Sequence, residues 1–143
     1  MLKKVNLDIE SYLENLDEYG MPEGEPETAF SSFIGTMKIF GSEISLSYKE
    51  MTENGSVSCS ITQCGESVTV RRIGAIASVM VFDIKQPFQT LYSIPPYKFD
   101  MLIKTKELTA VLNENGGEIN ILYDMDIGGM KRSARMKITA KEV

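Results

Sequence analysis

Residues 108–140 constrain the fold more than any other part of the chain. Ile119, Ile121, Tyr123, Met125 and Ile127 alternate strictly with Asn120, Leu122, Asp124 and Asp126. A period of two is the pattern of a strand with one buried face. Gly128-Gly129 follows, able to take the positive φ angles of a tight hairpin, and a second alternating run carries Met130, Ala134, Met136, Ile138 and Ala140. A turn on the glycine pair sets Ile127 against Met130, Ile121 against Met136 and Ile119 against Ile138. On the opposite face Asp126 meets Lys131, a cross-strand charge pair worth roughly 0.2–1 kcal/mol. A slip of one residue destroys the match. Upstream, Asn115-Gly116 repeats the device and pairs Leu112 with Ile119, Ala110 with Ile121 and Leu108 with Tyr123.

The same grammar runs through the rest of the chain. Val5, Leu7 and Ile9 alternate in a first strand, and residues 28–40 form a longer one. Gly41-Ser42, Asn54-Gly55 and Cys64-Gly65 are turn signals between short alternating runs. They set Gly35 against Tyr48, Glu50 against Cys59 and Arg72 against Val57. Residues 75–82 are apolar on both faces, and a short strand is expected around Phe88 to Tyr92. The apolar parity switches between Met101 and Leu108, which calls for a bulge near Lys106-Glu107. Residues 11–27 break the pattern with six acids, Pro22, Gly24 and Pro26; they read as a mobile acidic loop with one helical turn near Tyr12 to Leu16. The expectation is one domain over 1–143, an all-β antiparallel up-and-down barrel of roughly 8–10 strands, because a large one-sided sheet closes to remove its edges.

Composition narrows the chemistry. With no histidine, the 143 residues exclude Ser-His-Asp and Cys-His nucleophile systems and histidine metal ligation. Two cysteines, Cys59 and Cys64, are too few for a metal cluster, so no cofactor is expected. A net charge of −5 argues against nucleic acid as a partner, and no window is apolar enough to span a membrane. The N-terminus lacks an apolar signal core, so secretion by a cleaved signal is not expected.

Several local patterns resemble a known family. Arg72-Ile73-Gly74 through Ser78-Val79-Met80-Val81-Phe82 is similar to the Arg-x-Gly…Ser-x-Met-x-Phe segment of the uncharacterised bacterial calycin-like (lipocalin-like) β-barrels, domain of unknown function 1934. Tyr48-Lys49-Glu50 resembles that family's Tyr-x-Glu element, and Asn115-Gly116-Gly117 with Tyr123 its closing turn and strand. The family's Tyr-x-Thr-Pro-Tyr-Gly stretch departs here to Tyr92-Ser93-Ile94-Pro95-Pro96-Tyr97. The resemblance implies a calycin-like barrel in a bacterial cytoplasm and no particular activity.

Charges on faces that should be oily mark candidate site residues. Glu50 continues Ile44, Leu46 and Tyr48, while Arg72 continues Val68 and Val70, two strands away. They either form a polar plug or cavity rim, or reach solvent at strand ends, since an unpartnered buried charge costs several kcal/mol. Arg132, opposite Met125, is a third inward candidate. Tyr48, Tyr92 and Tyr123 offer hydroxyls to a ligand, or serve as ordinary core. Methionines at inward positions, among them Met37, Met101, Met125 and Met136, suit an adaptable pocket or plain filling. The leading expectation is a barrel that binds a small apolar or amphipathic molecule through Glu50, Arg72, Tyr48, Tyr92, Tyr123 and Arg132. The alternative is a filled structural or protein-interaction barrel, a homodimer among its forms. No catalytic residue stands out.

Overall fold

The computed structural model describes residues 1–143 as ten strands and no helix. They are β1 (Leu2–Leu16), β2 (Pro22–Phe40), β3 (Glu43–Thr52), β4 (Gly55–Cys64), β5 (Ser67–Gly74), β6 (Ser78–Phe82), β7 (Phe88–Ile94), β8 (Tyr97–Asn113), β9 (Gly116–Ile127) and β10 (Met130–Glu142). All pair antiparallel in one sheet of order β6-β5-β4-β3-β2-β1-β10-β9-β8-β7. First and last strands are therefore neighbours, laddered from Val5 against Glu142 to Asn15 against Arg132. The two sheet edges, β6 and β7, meet through a single bridge between Ala77 and Ser93, which leaves a nearly closed barrel.

The closing hairpin takes the expected register, with Ile127 against Met130, Met125 against Arg132, Ile121 against Met136 and Ile119 against Ile138. Asp126 lies opposite Lys131 on the outer face. The parity switch in β8 is a bulge at Lys106: Thr105 pairs with Tyr123 and Glu107 with Leu122. Gly41-Ser42 also turns as expected, pairing Ile39 with Ile44 and Met37 with Leu46.

Three registers differ from expectation, each by two residues. Glu50 faces Val57, Arg72 faces Cys59 and Leu112 faces Gly117. At the two Asn-Gly turns the cause is where the positive φ falls. Glu53-Asn54 and Glu114-Asn115 form the loops with no positive φ, and the left-handed residue is the glycine after each, Gly55 at φ 125° and Gly116 at φ 115°. Such loops belong to the longer hairpin class in which glycine follows an ordinary turn. At the third turn Gly65 opens the loop rather than closing it. A shift of two keeps every side chain on its expected face.

The expected acidic loop over residues 11–27 is corrected to strand on both sides of a tight turn. β1 continues to Leu16, without a helical turn, and β2 begins at Pro22. The Asp17 carboxylate closes the turn by accepting the Tyr19 and Met21 amides, each at 2.9 Å. Pro22 and Pro26 are tolerated because this part of β2 has only β1 beside it, and an edge can spare an amide. The ladder to β3 stops at Thr36 against Ser47, so the expected pair Gly35 and Tyr48 does not form. There β2 leaves β3 and the wall of the barrel opens.

Inward side chains from every part of the sheet fill one end of the barrel. Val5, Leu7, Met37, Leu46, Ile119 and Ile138 are fully buried, each contributing about 1.5–3 kcal/mol by leaving water. Gly35 sits where this packed end meets the split. A Cβ there would collide with the Ser47 carbonyl oxygen and press to 3.0 Å from Leu7 Cδ1. Gly35→Ala is expected to destabilise the fold by about 1–3 kcal/mol through overpacking, read as a lower urea midpoint.

Candidate ligand cavity

Inward positions lose bulk toward the other end of the barrel. Along β1 they run Leu7, Ile9, Ser11, and along β2 from the packed end Met37, Gly35, Phe33, Ser31, Ala29. Small side chains there leave the space that large ones fill below. The result is a cavity of about 350 Å³, lined mostly by apolar side chains, including Ile61, Val70, Met80, Met101 and Met136. It reaches solvent beside Ala29 and Ser31, which line it yet remain exposed on the unpaired stretch of β2. Across that opening stand Tyr48 and Glu50 of β3. Phe33 and Tyr48 lean together where the strands part, with ring centroids 4.5 Å apart.

All six residues singled out from the sequence line this one cavity. Glu50 and Arg72 point inward and meet directly, with Arg72 Nη2 donating to Glu50 Oε2 at 2.8 Å. Their side chains are 31% and 24% exposed, so the pair is half-buried rather than free in solvent. The Cys59 thiol, on the strand between them, donates to the same oxygen at 3.9 Å. Burial pulls the Arg72 pKa down, and the Glu50 charge and hydrogen bond outweigh it and leave the pKa raised. The guanidinium therefore stays charged. Burial also pushes the Cys59 thiol and the Tyr48 hydroxyl upward, so both keep their protons at neutral pH.

The remaining tyrosines join core to cavity. Tyr123 packs edge-on against Phe82, centroids 4.8 Å apart, and burial pushes its hydroxyl up to about 12. Tyr92 rests on the small cluster of Val57, Cys59 and Ile76 behind the ion pair. Arg132 enters from β10 opposite Met125, and its Nε is buried without a hydrogen-bond partner. Ser11, Ala29, Ser31 and Phe33 were not among the candidates, although the odd-numbered parity of Met37 and Gly35 on β2 points to the last three. A wider hollow of about 720 Å³ lies outside the barrel, beside Lys49, Ser58, Ser60 and Arg71.

The comparisons agree with this architecture. Residues 18–139 match the family model described as Domain of unknown function (DUF1934). The crystal structure of the ywiB protein from Bacillus subtilis is similar over 99% of this chain and 93% of that one, with a TM-score of 0.86 and 24% identity. That likeness is one of fold. No curated protein matches the chain.

Two outcomes follow from the geometry around the ion pair. Removing either Glu50 or Arg72 strands its half-buried partner; Glu50→Gln or Arg72→Met should each cost about 1–3 kcal/mol. The double variant should cost less than the two losses added, as a denaturation cycle would measure. Cys64 is exposed and Cys59 buried. A thiol reagent at pH 8 should therefore modify one equivalent promptly and the second only as the barrel unfolds.

Proposed function

The chain belongs to the DUF1934 family, a domain of unknown function, and on the geometry of its cavity we propose that it binds a small amphipathic molecule inside the barrel. The observation that carries this reading is the half-filled interior. A cavity of about 350 Å³ beside a fully packed end forfeits side-chain contacts that a solid core would keep. The volume lies at the lower end of the range of small-molecule pockets, and the lining combines apolar walls with a few convergent polar groups. Glu50 and Arg72 serve as a polar group beside the opening, the Tyr48, Tyr92 and Tyr123 hydroxyls as orienting groups, and the parted strands as the entrance.

A second reading rests on the unpaired stretch of β2. Residues 27–34 contain no proline or lysine to blunt the edge, and Phe30 and Ile34 are exposed at 63% and 68%. Strand pairing with a protein partner, such as a second copy of the chain, would cover that edge.

Native mass spectrometry of freshly purified protein separates the two. Binding predicts a co-purifying mass or, for an emptied barrel, a rise in melting temperature with octanol or octanoate. Met80→Trp, which puts a large ring into the cavity, should abolish both without changing the far-ultraviolet circular dichroism. A bare monomer mass with no thermal response to either compound overturns the binding reading; a dimer with the same silence favours the second.

A further inference from the structure

The cavity does not balance its own charge. Its charged lining residues are Glu50, Arg72 and Arg132. Glu50 and Arg72 neutralise one another across 2.8 Å, which leaves one positive charge. That charge is Arg132, and none of the five ion pairs of the molecule includes it. The pleat that turns Ala134, Met136 and Ile138 inward turns Arg132 inward as well. Its Nε is buried without a partner, a condition that folded chains rarely leave unanswered.

The acids that share a second hollow with Arg132 form no ion pair with it. Asp17, Glu18 and Glu23 border a separate hollow beneath the β1–β2 turn, which Arg132 also touches. One oxygen of the Asp17 carboxylate accepts both turn amides, and Glu18 and Glu23 are exposed to water. Tyr123, which keeps its proton, lines the cavity and can add a neutral donor.

Resting on the binding proposed above, we infer that the occupant is a monoanion, a short aliphatic or aromatic carboxylate whose head group is received by Arg132 and whose apolar body lies against the methionines and Phe33. An arginine presents a planar set of donors that fits a carboxylate, and such charge-assisted bonds are about twice as strong as neutral ones. A volume of about 350 Å³ is that of about a dozen water-sized atoms, which sets the length of the chain the cavity takes.

Calorimetric titration at pH 7 with octanoate, octanol and octylamine tests this directly, since the three differ only in the head. Octanoate should bind about tenfold or more tightly than octanol, and octylamine should not bind. Arg132→Met should lose about tenfold for octanoate and leave octanol within about twofold, and Arg132→Lys should recover part of the loss. Octanol or octylamine binding as tightly as octanoate overturns the charge assignment and leaves the cavity reading standing, as does full octanoate affinity in Arg132→Met. Silence from all three probes overturns both. The comparison on the unaltered protein decides the matter even where a variant fails to fold.

Discussion

The structure depends on the pleat of a β-strand, which sends successive side chains to opposite faces. Around a closed sheet that rule leaves each residue one choice, interior or exterior, and the choice propagates through every hairpin. A register shifted by two residues preserves it, whereas a shift of one inverts a whole strand. Lys106 shows the rule under load. The parity of β8 has to change between Met101 and Leu108, and the chain makes the change by leaving one residue unpaired.

The interior built this way has two unlike halves. Branched aliphatic side chains close one end to water, and burial there supplies the dominant stabilisation. In the other half the small side chains of Ser11, Ala29 and Ser31 leave space, and a charged pair stands where core would otherwise be. A half-buried ion pair contributes little net stability against apolar filling. It joins Glu50, Arg72 and Cys59 across β3, β4 and β5, which makes that side of the cavity polar.

Much of this is legible in the sequence. Strict alternation at Ile119–Ile127 announced β9, and Glu50, Arg72 and Arg132 were conspicuous because each breaks an oily face. What escaped had physical reasons. Asn54-Gly55 and Asn115-Gly116 look like two-residue turns, but glycine is equally at home as the residue after an ordinary turn, and only backbone geometry separates the cases. Acids and prolines at 22–27 look like loop because both are rare in paired strands. They are accepted here because that stretch of β2 is an edge, and edge position is a property of the whole sheet. The cavity itself is not legible in the sequence for a related reason: it follows from barrel girth and from which small residues share a layer.

One ladder stands apart from the others. Every strand pair except β1 with β10 joins neighbours in the chain, so nearly all of the sheet can zip up locally as hairpins form. The pairing of Val5 with Glu142 cannot. It requires β1 and β10, which lie far apart in the sequence, to find one another, at the entropic expense of closing a loop that contains every other strand. During synthesis the vestibule framed by β1, β2 and β10 therefore stays unmade until β10 emerges. The wall around the cavity is complete only once all ten strands have been made.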